Sequence, residues 1–422
     1  MGKFVLFLLA VASGAAVAAP VVSNVQIAAD EAAHEFTVTY DLADGPAIVT
    51  LELLSNGTPI GPEQRLCLRG DVNRKVTGSS GTIVWNAGAA APEKAFADVT
   101  AVVSAYDPDD PPDYMAVDLR SGEFSYYAST NALPGGIGSD LWRTDMLLLK
   151  WIPVKTAANP DGTTFKMLNV RYVKMTKRYY MAVFECTQRQ WERVMMKGTP
   201  VTTNAERRPS RFNNETCYAA RILDSVKHDN IRGTNKGCNW PDSPDVDEGS
   251  FMYRLRALTG SDRFDLPTDA QWEYAYRAGT TTTFFWGDTT SGYGRYMRDK
   301  NNGHGGSTVP ADCDLSQGNP RAGDYEPNPW GIYDLPAGTW EYTLDWWGDV
   351  TANSADDPEI DRKGPQRTAG QVQHAARGGC SMDAVSVSYM SATGRTAQNT
   401  GAQYLGGFHV VYRFDDFDYP AN

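Results

Sequence analysis

Helical periodicity is confined to three stretches of this 422-residue chain, and beyond Phe284 it is almost absent. Thr187 is placed to cap a helix over 188–196 that sets Trp191, Val194 and Met195 at helical spacing. Residues 250–260 read as a second helix stopped by Gly260. Residues 266–280 read as a third, with Thr268 and Gln271 at capping-box spacing and Gly279 at its end. A chain this poor in helix, with 39 glycines and 21 tyrosines, is no helix bundle. Its core must come from short strands and aromatic-rich loops.

Residues 20–106 predict a small antiparallel β-sandwich, Ig-like or fibronectin-III-like. The runs 24–29, 36–42, 48–54, 82–87 and 97–106 are rich in β-branched and aromatic residues, and Asn56-Gly57, Gly70-Asp71 and Gly81 punctuate them. No constellation of reactive side chains occurs there, and such modules serve as spacers or adhesion units. "DPDDPPD" (107–113) carries too many prolines and carboxylates to pair into a sheet. Together with "NALPGGIGSD" (131–140) it marks 107–145 as a linker region. "MLLLKWIPV" opens a second domain, 146–414, as a buried strand, and 415–422 reads as an acidic tail.

The first 19 residues have the layout of an export signal: Lys3, the apolar run "FVLFLLAVA", and small residues for cleavage near Ala18 or Ala19. That run is too short to span a bilayer, and no later segment is long and apolar enough. An exported protein without a membrane span is therefore expected. The net charge of -12, from 39 basic and 51 acidic residues with no basic run, argues against nucleic acid as a partner. The six cysteines show no C-x-x-C spacing, which argues against a zinc ribbon; in an exported protein some would pair, in a pattern spacing does not define. The five histidines include no metal-ligand pair.

Seven motifs in order make the second domain specific: "YYMAVFECTQRQWERVM", "RRPSRFN", "LPTDAQWEYAYRAGT", "FFWGD", "PNPWGIYDLPAGTWEYTLDWW", "RGGCSM" and "GGFHVVYRF". In this order they resemble the sulfatase-modifying-factor, or formylglycine-generating-enzyme, family over about 146–414. The resemblance implies an α+β, C-type-lectin-like fold with little regular secondary structure. It also implies an oxidation that turns a sulfatase cysteine into formylglycine, with molecular oxygen and Cu(I) held between two thiolates.

Those thiolates lie four and nine residues past the glycine pair, which here are Asp383 and Ser388. A carboxylate and a hydroxyl are hard donors for a soft ion, so the copper site is not expected. Cys380, directly after Gly379, supplies one thiol where two are needed. The stretch thus reads as a degenerate active site, at Cys380, Asp383 and Ser388, with no catalytic residues retained. A non-catalytic module that binds a protein, peptide or glycan through Ser381, Asp383, Ala384, Ser386 and Ser388 is one expectation. A retained oxidase, another use of Cys380 with Asp383 and His374, and a structural cell-surface protein are the alternatives.

The resemblance also implies calcium beside "YDLPAGTWEY". Its side-chain ligands fall on Asp334 and Glu341, and its main-chain ligands on Ala337 and Thr339. Carboxylates and carbonyls around a Pro/Gly turn suit a hard cation. The family's other calcium site would lie in 294–306, where no ligand set matches. The tryptophans at 330, 340, 346 and 347 are expected to be core.

Overall fold

A computed structural model describes residues 18–61, 67–196, 220–298, 320–381, 384–399, 406–415 and 417–419. The chain divides into two units between Pro112 and Asp113.

In the first unit, Val38, Tyr40 and Leu42 are buried while Thr39 and Asp41 face solvent, the period-2 pattern of a strand with one covered face. This strand, Glu35–Ala43, lies between Val21–Asp30 and Ser80–Asn86, with Leu68–Gly70 completing the sheet. A second sheet joins Ala47–Ser55 to Thr58–Pro59, Arg74–Val76 and Val99–Tyr106. Asn56 and Gly57 both take positive φ, 50° and 73°, which closes the tight hairpin that the Asn-Gly pair predicts. Val38, Tyr40, Ile83 and Trp85 from one sheet meet Val49, Leu51, Leu53 and Val103 from the other in one core. The unit is a two-sheet β structure.

The second unit is built on a six-stranded sheet in the order Phe124–Tyr127, Tyr114–Asp118, Met146–Ile152, Tyr179–Ala182, Val411–Arg413, Phe264–Asp265. Its first two strands fall inside 107–145, so the linker expectation needs correction. Leu147 pairs with Val117 and Leu149 with Met115, in the buried heart of the sheet. "YMAVD" is covered on both faces and lacks alternation, and the prolines and glycines around it hide it. The expected acidic tail is also partly packed. Asp415 accepts from Arg178 at 2.8 Å, and Phe417 is buried edge-on against Trp240.

Two capping boxes start helices as their spacing requires. Thr187 with Gln190 precedes Gln188–Met195, and Thr268 with Gln271 precedes Asp269–Arg277. Gly260 stops Phe251–Thr259 in the left-handed region. The left-handed cap of the third helix is Ala278, φ 44°, one residue before the expected Gly279. Among the described residues no helix is long and apolar enough to cross a membrane.

A four-stranded sheet positions the candidate site. Its order is Thr396–Asn399, Gln373–Arg377, Trp340–Trp346, Gly406–Gly407. All seven residues of Trp340–Trp346 are buried, so Trp340 and Trp346 are core, whereas Trp330 and Trp347 are partly exposed.

Candidate functional site

The Arg-Gly-Gly stretch is anchored by a buried charge network. The Arg377 guanidinium donates to Asp269, to Glu273 at 2.9 Å, and to the carbonyls of Ala392 and Gly394. Arg395 adds a second cation at 2.8 Å from Asp269, and Arg277 one at 2.8 Å from Glu273. Burial opposes charge on Asp269, but Arg377 and Arg395 hold its carboxyl below the usual range. Burial pushes Asp345, whose Oδ1 accepts from the Asp269 N–H, up to about 7. Gly378 and Gly379 then turn the chain with φ of 85° and 74°. A Cβ on Gly378 would lie 2.5 Å from the Leu335 carbonyl, so only glycine fits there.

Beyond the turn, Cys380 is fully buried against Trp340 and Ala376, and Ser381 is buried too. Asp383 lies outside the described residues. Ala384 and Ser386 are partly exposed, and Ser388 is exposed, flanked by Val387 at 51% and Tyr389 at 40% exposure. Ser386 starts the short helix Val387–Met390, its Oγ accepting from Ser388 N at 3.1 Å. Beneath it Met390 packs with Phe284, Met297 and Ala337. The six residues after Cys380 that are described therefore pass from core to surface.

His374, weighed with Cys380 as a catalytic partner, is engaged elsewhere. Its Nδ1 meets the Leu344 carbonyl at 3.2 Å. Its ring is stacked between His228, 3.6 Å between centroids, and Trp346, 3.9 Å.

The residues singled out for calcium surround a buried carboxylate that the sequence reading missed, Glu185. Thr339 donates to it from its N–H, at 3.2 Å, and from its hydroxyl. Burial first, then the charge on Glu341, push the Glu185 carboxyl well above the ordinary range. Glu341 is fully buried, with Oε2 2.6 Å from His409 Nδ1 and Oε1 without a hydrogen-bond partner. His409 Nε2 lies 3.1 Å from the Tyr333 carbonyl. Both neighbours of this ring are acceptors. Nε2 therefore carries a hydrogen, and a second proton sits in the Nδ1–Oε2 contact. Asp334 is turned to the Gly323 N–H, at 2.9 and 3.0 Å, and burial pushes it up to about 6. Asp334 and Ala337 both hold left-handed φ, 64° and 59°.

The orphaned Glu341 Oε1 and an all-oxygen donor set fit a hard cation. Among the described residues no three His, Cys, Asp or Glu side chains gather as a metal shell, so the main chain of Ala337 and Thr339 would have to contribute. A two-thiolate copper site does not fit, because serine occupies the second thiolate position. The one signal for Glu185 was an acid standing in the apolar run "MAVFEC".

The family model of the sulfatase-modifying factor enzyme 1-like domain matches residues 154–414. The formylglycine-generating enzyme of Bos taurus is 26% identical over 253 residues, 53% of this chain and 62% of its own length. That of Mus musculus is 26% identical over 293 residues, 60% of this chain and 72% of its own. Treponema denticola variable protein 1 superposes over 64% of this chain and 95% of its own, with a TM-score of 0.44 and 18% identity. This chain thus spans less than two thirds of the bovine relative. The family model covers more than half of the chain, which belongs to the sulfatase-modifying factor enzyme 1-like domain family.

Proposed function

We propose that this chain is an exported, non-catalytic member of its family, and that the former active-site surface binds a protein, peptide or glycan. The observation that carries this reading is the replacement of the two thiolate positions by Asp383 and Ser388. Without a pair of soft donors the copper-dependent oxidation has no seat. The exposure of Ser388 beside Val387 and Tyr389 supports a surface free to engage a ligand. The charge network around Arg377 would hold the framework beneath that surface. The first unit would act as an Ig- or fibronectin-III-like spacer.

We also assign a calcium ion to Glu341, with Asp334 and the carbonyls of Ala337 and Thr339 as its further oxygens. Its role is structural: it would neutralise a buried carboxylate that His409 alone leaves half-satisfied.

Glycan and peptide arrays probed with the parent protein and with Ala384→Trp/Ser388→Arg test the binding surface. Ser386 is left intact because it caps the short helix. Binding by the parent, lost in the variant with stability within about 0.5 kcal/mol, is expected. A large loss of stability places these positions in the core and ends the binding reading.

A further inference from the structure

A second concave site lies well apart in sequence from the Arg-Gly-Gly surface. It is a groove of about 510 Å³ between the turn at Ser121, the end of helix Gln188–Met195 and helix Phe251–Thr259. Its floor is apolar: Val194, Ala257 and Leu258. Its polar groups are Ser121, Glu248, Tyr253 and Arg254.

The groove is pre-formed. Gly122, at φ 84°, sits so close to the helix that a Cβ would lie 2.0 Å from the Leu258 carbonyl. Behind it, Trp191 and Phe251 stack at 5.2 Å and lock the two helices together. A ligand entering here would not have to order the walls first.

Ser121 Oγ accepts from the Glu123 N–H at 3.2 Å, and the two charged groups keep capacity to spare. Arg254 uses only Nε, which donates to the Gly249 carbonyl at 3.2 Å, and its terminal nitrogens have no partner among the described residues. Glu248 has no ion pair or side-chain hydrogen bond among the described residues, nor does the Tyr253 hydroxyl. Other surface arginines, such as Arg295 with Glu326, are held in an ion pair. One free cation and one free anion beside an apolar floor are a pattern that a simple anion or a simple cation satisfies only in half, each being repelled by the other group. A neutral sugar leaves both charges unmatched. A zwitterion with an apolar substituent matches all three features.

We propose that this groove binds an α-amino acid with an apolar side chain, its carboxylate on Arg254, its ammonium on Glu248 and its side chain on Val194, Ala257 and Leu258. Charge-assisted hydrogen bonds at both ends give the selectivity.

Calorimetric titration of the full chain with L-phenylalanine, N-acetyl-L-phenylalanine and L-phenylalanine amide tests it. The two derivatives each remove one charge and should bind on the order of tenfold or more weakly. Arg254→Gln should weaken phenylalanine and the acetyl derivative but not the amide, which loses a repulsive neighbour. Glu248→Gln should weaken phenylalanine and the amide but not the acetyl derivative, which loses a repulsive neighbour. Both side chains are surface groups, and unchanged circular dichroism confirms that the variants fold. Absence of saturable phenylalanine binding, equal binding of all three compounds, or insensitivity to both substitutions would overturn the assignment.

Discussion

Replacing both stacked imidazoles, His228→Phe with His374→Phe, should make the protein less sensitive to acid. Both rings are fully buried, and three of their four nitrogens have no hydrogen-bond partner. Burial, joined by the neighbouring ring, lowers the His228 pKa well below its ordinary value. Burial, with Arg232 next in weight, brings His374 to about 3. The side-chain charges acting on the stack are those of Arg232 and Arg367, with the Tyr342 ring edge-on to His228, and two imidazolium rings 3.6 Å apart would repel each other. In the unfolded chain each histidine takes a proton near pH 6.5, whereas in the folded protein neither does so until far lower. The unfolded state thus binds more protons below 6.5, and stability is lost as pH falls through that value. At pH 5 this amounts to about 2 kcal/mol per ring, or about 4 kcal/mol for the pair. Asp345, pushed up to about 7, has the opposite dependence, but it titrates in parent and variant alike and cancels in their difference. The loss of the Leu344 contact, about 1 kcal/mol, is independent of pH. Denaturant unfolding followed by tryptophan fluorescence at pH 8 and pH 5 measures both proteins. The parent should lose about 4 kcal/mol more than the variant between these values. Parallel losses would show that the rings are solvated or charged in the fold, and the stacked-pair account would be wrong.

Arg377→Met leaves the buried Asp269 to Arg395 alone and the buried Glu273 to Arg277 alone, and should cost about 3 kcal/mol in denaturant unfolding, whereas a loss under about 1 kcal/mol would mean that the network carries little. Gly407→Ala would set a Cβ 2.1 Å from Thr339 Oγ1 and 2.2 Å from Glu185 Oε1. It should cost about 1–3 kcal/mol or more by overpacking, against about 1 kcal/mol for Gly279→Ala, where only the φ of 84° is strained and the space is open. Excess calcium should raise stability by about 2–4 kcal/mol at 100 to 1,000 times its dissociation constant, an effect that Asp334→Ala/Glu341→Ala removes. Identical melting in calcium and in chelator would leave these carboxylates as caps and ion-pair partners.

Local chemistry was legible in the sequence where a single segment decides its own conformation. Thr187, Thr268 and Gly260 set helix ends, Asn56-Gly57 sets a hairpin, and the run 36–42 reads as a strand. The order of seven short motifs carried the fold of the second unit. Residues 114–118 were lost because a strand covered on both faces has no alternation to read. The Glu185–Thr339–Glu341–His409 cluster was lost for a different reason. Glu185 and Thr339 stand 154 residues apart and Glu341 and His409 another 68, and only the sheet that sets Glu341 against Gly407 brings them together. The same holds for His228 and His374, each of which reads as an isolated histidine until the fold stacks them.

The most direct test of the proposed non-catalytic role is mass spectrometry of a cysteine-containing sulfatase peptide incubated with copper-loaded protein and oxygen. With Asp383 and Ser388 in place of two thiolates, the peptide should keep its cysteine and the protein should hold no stoichiometric Cu(I). Conversion of that cysteine to the formylglycine aldehyde would contradict the non-catalytic reading.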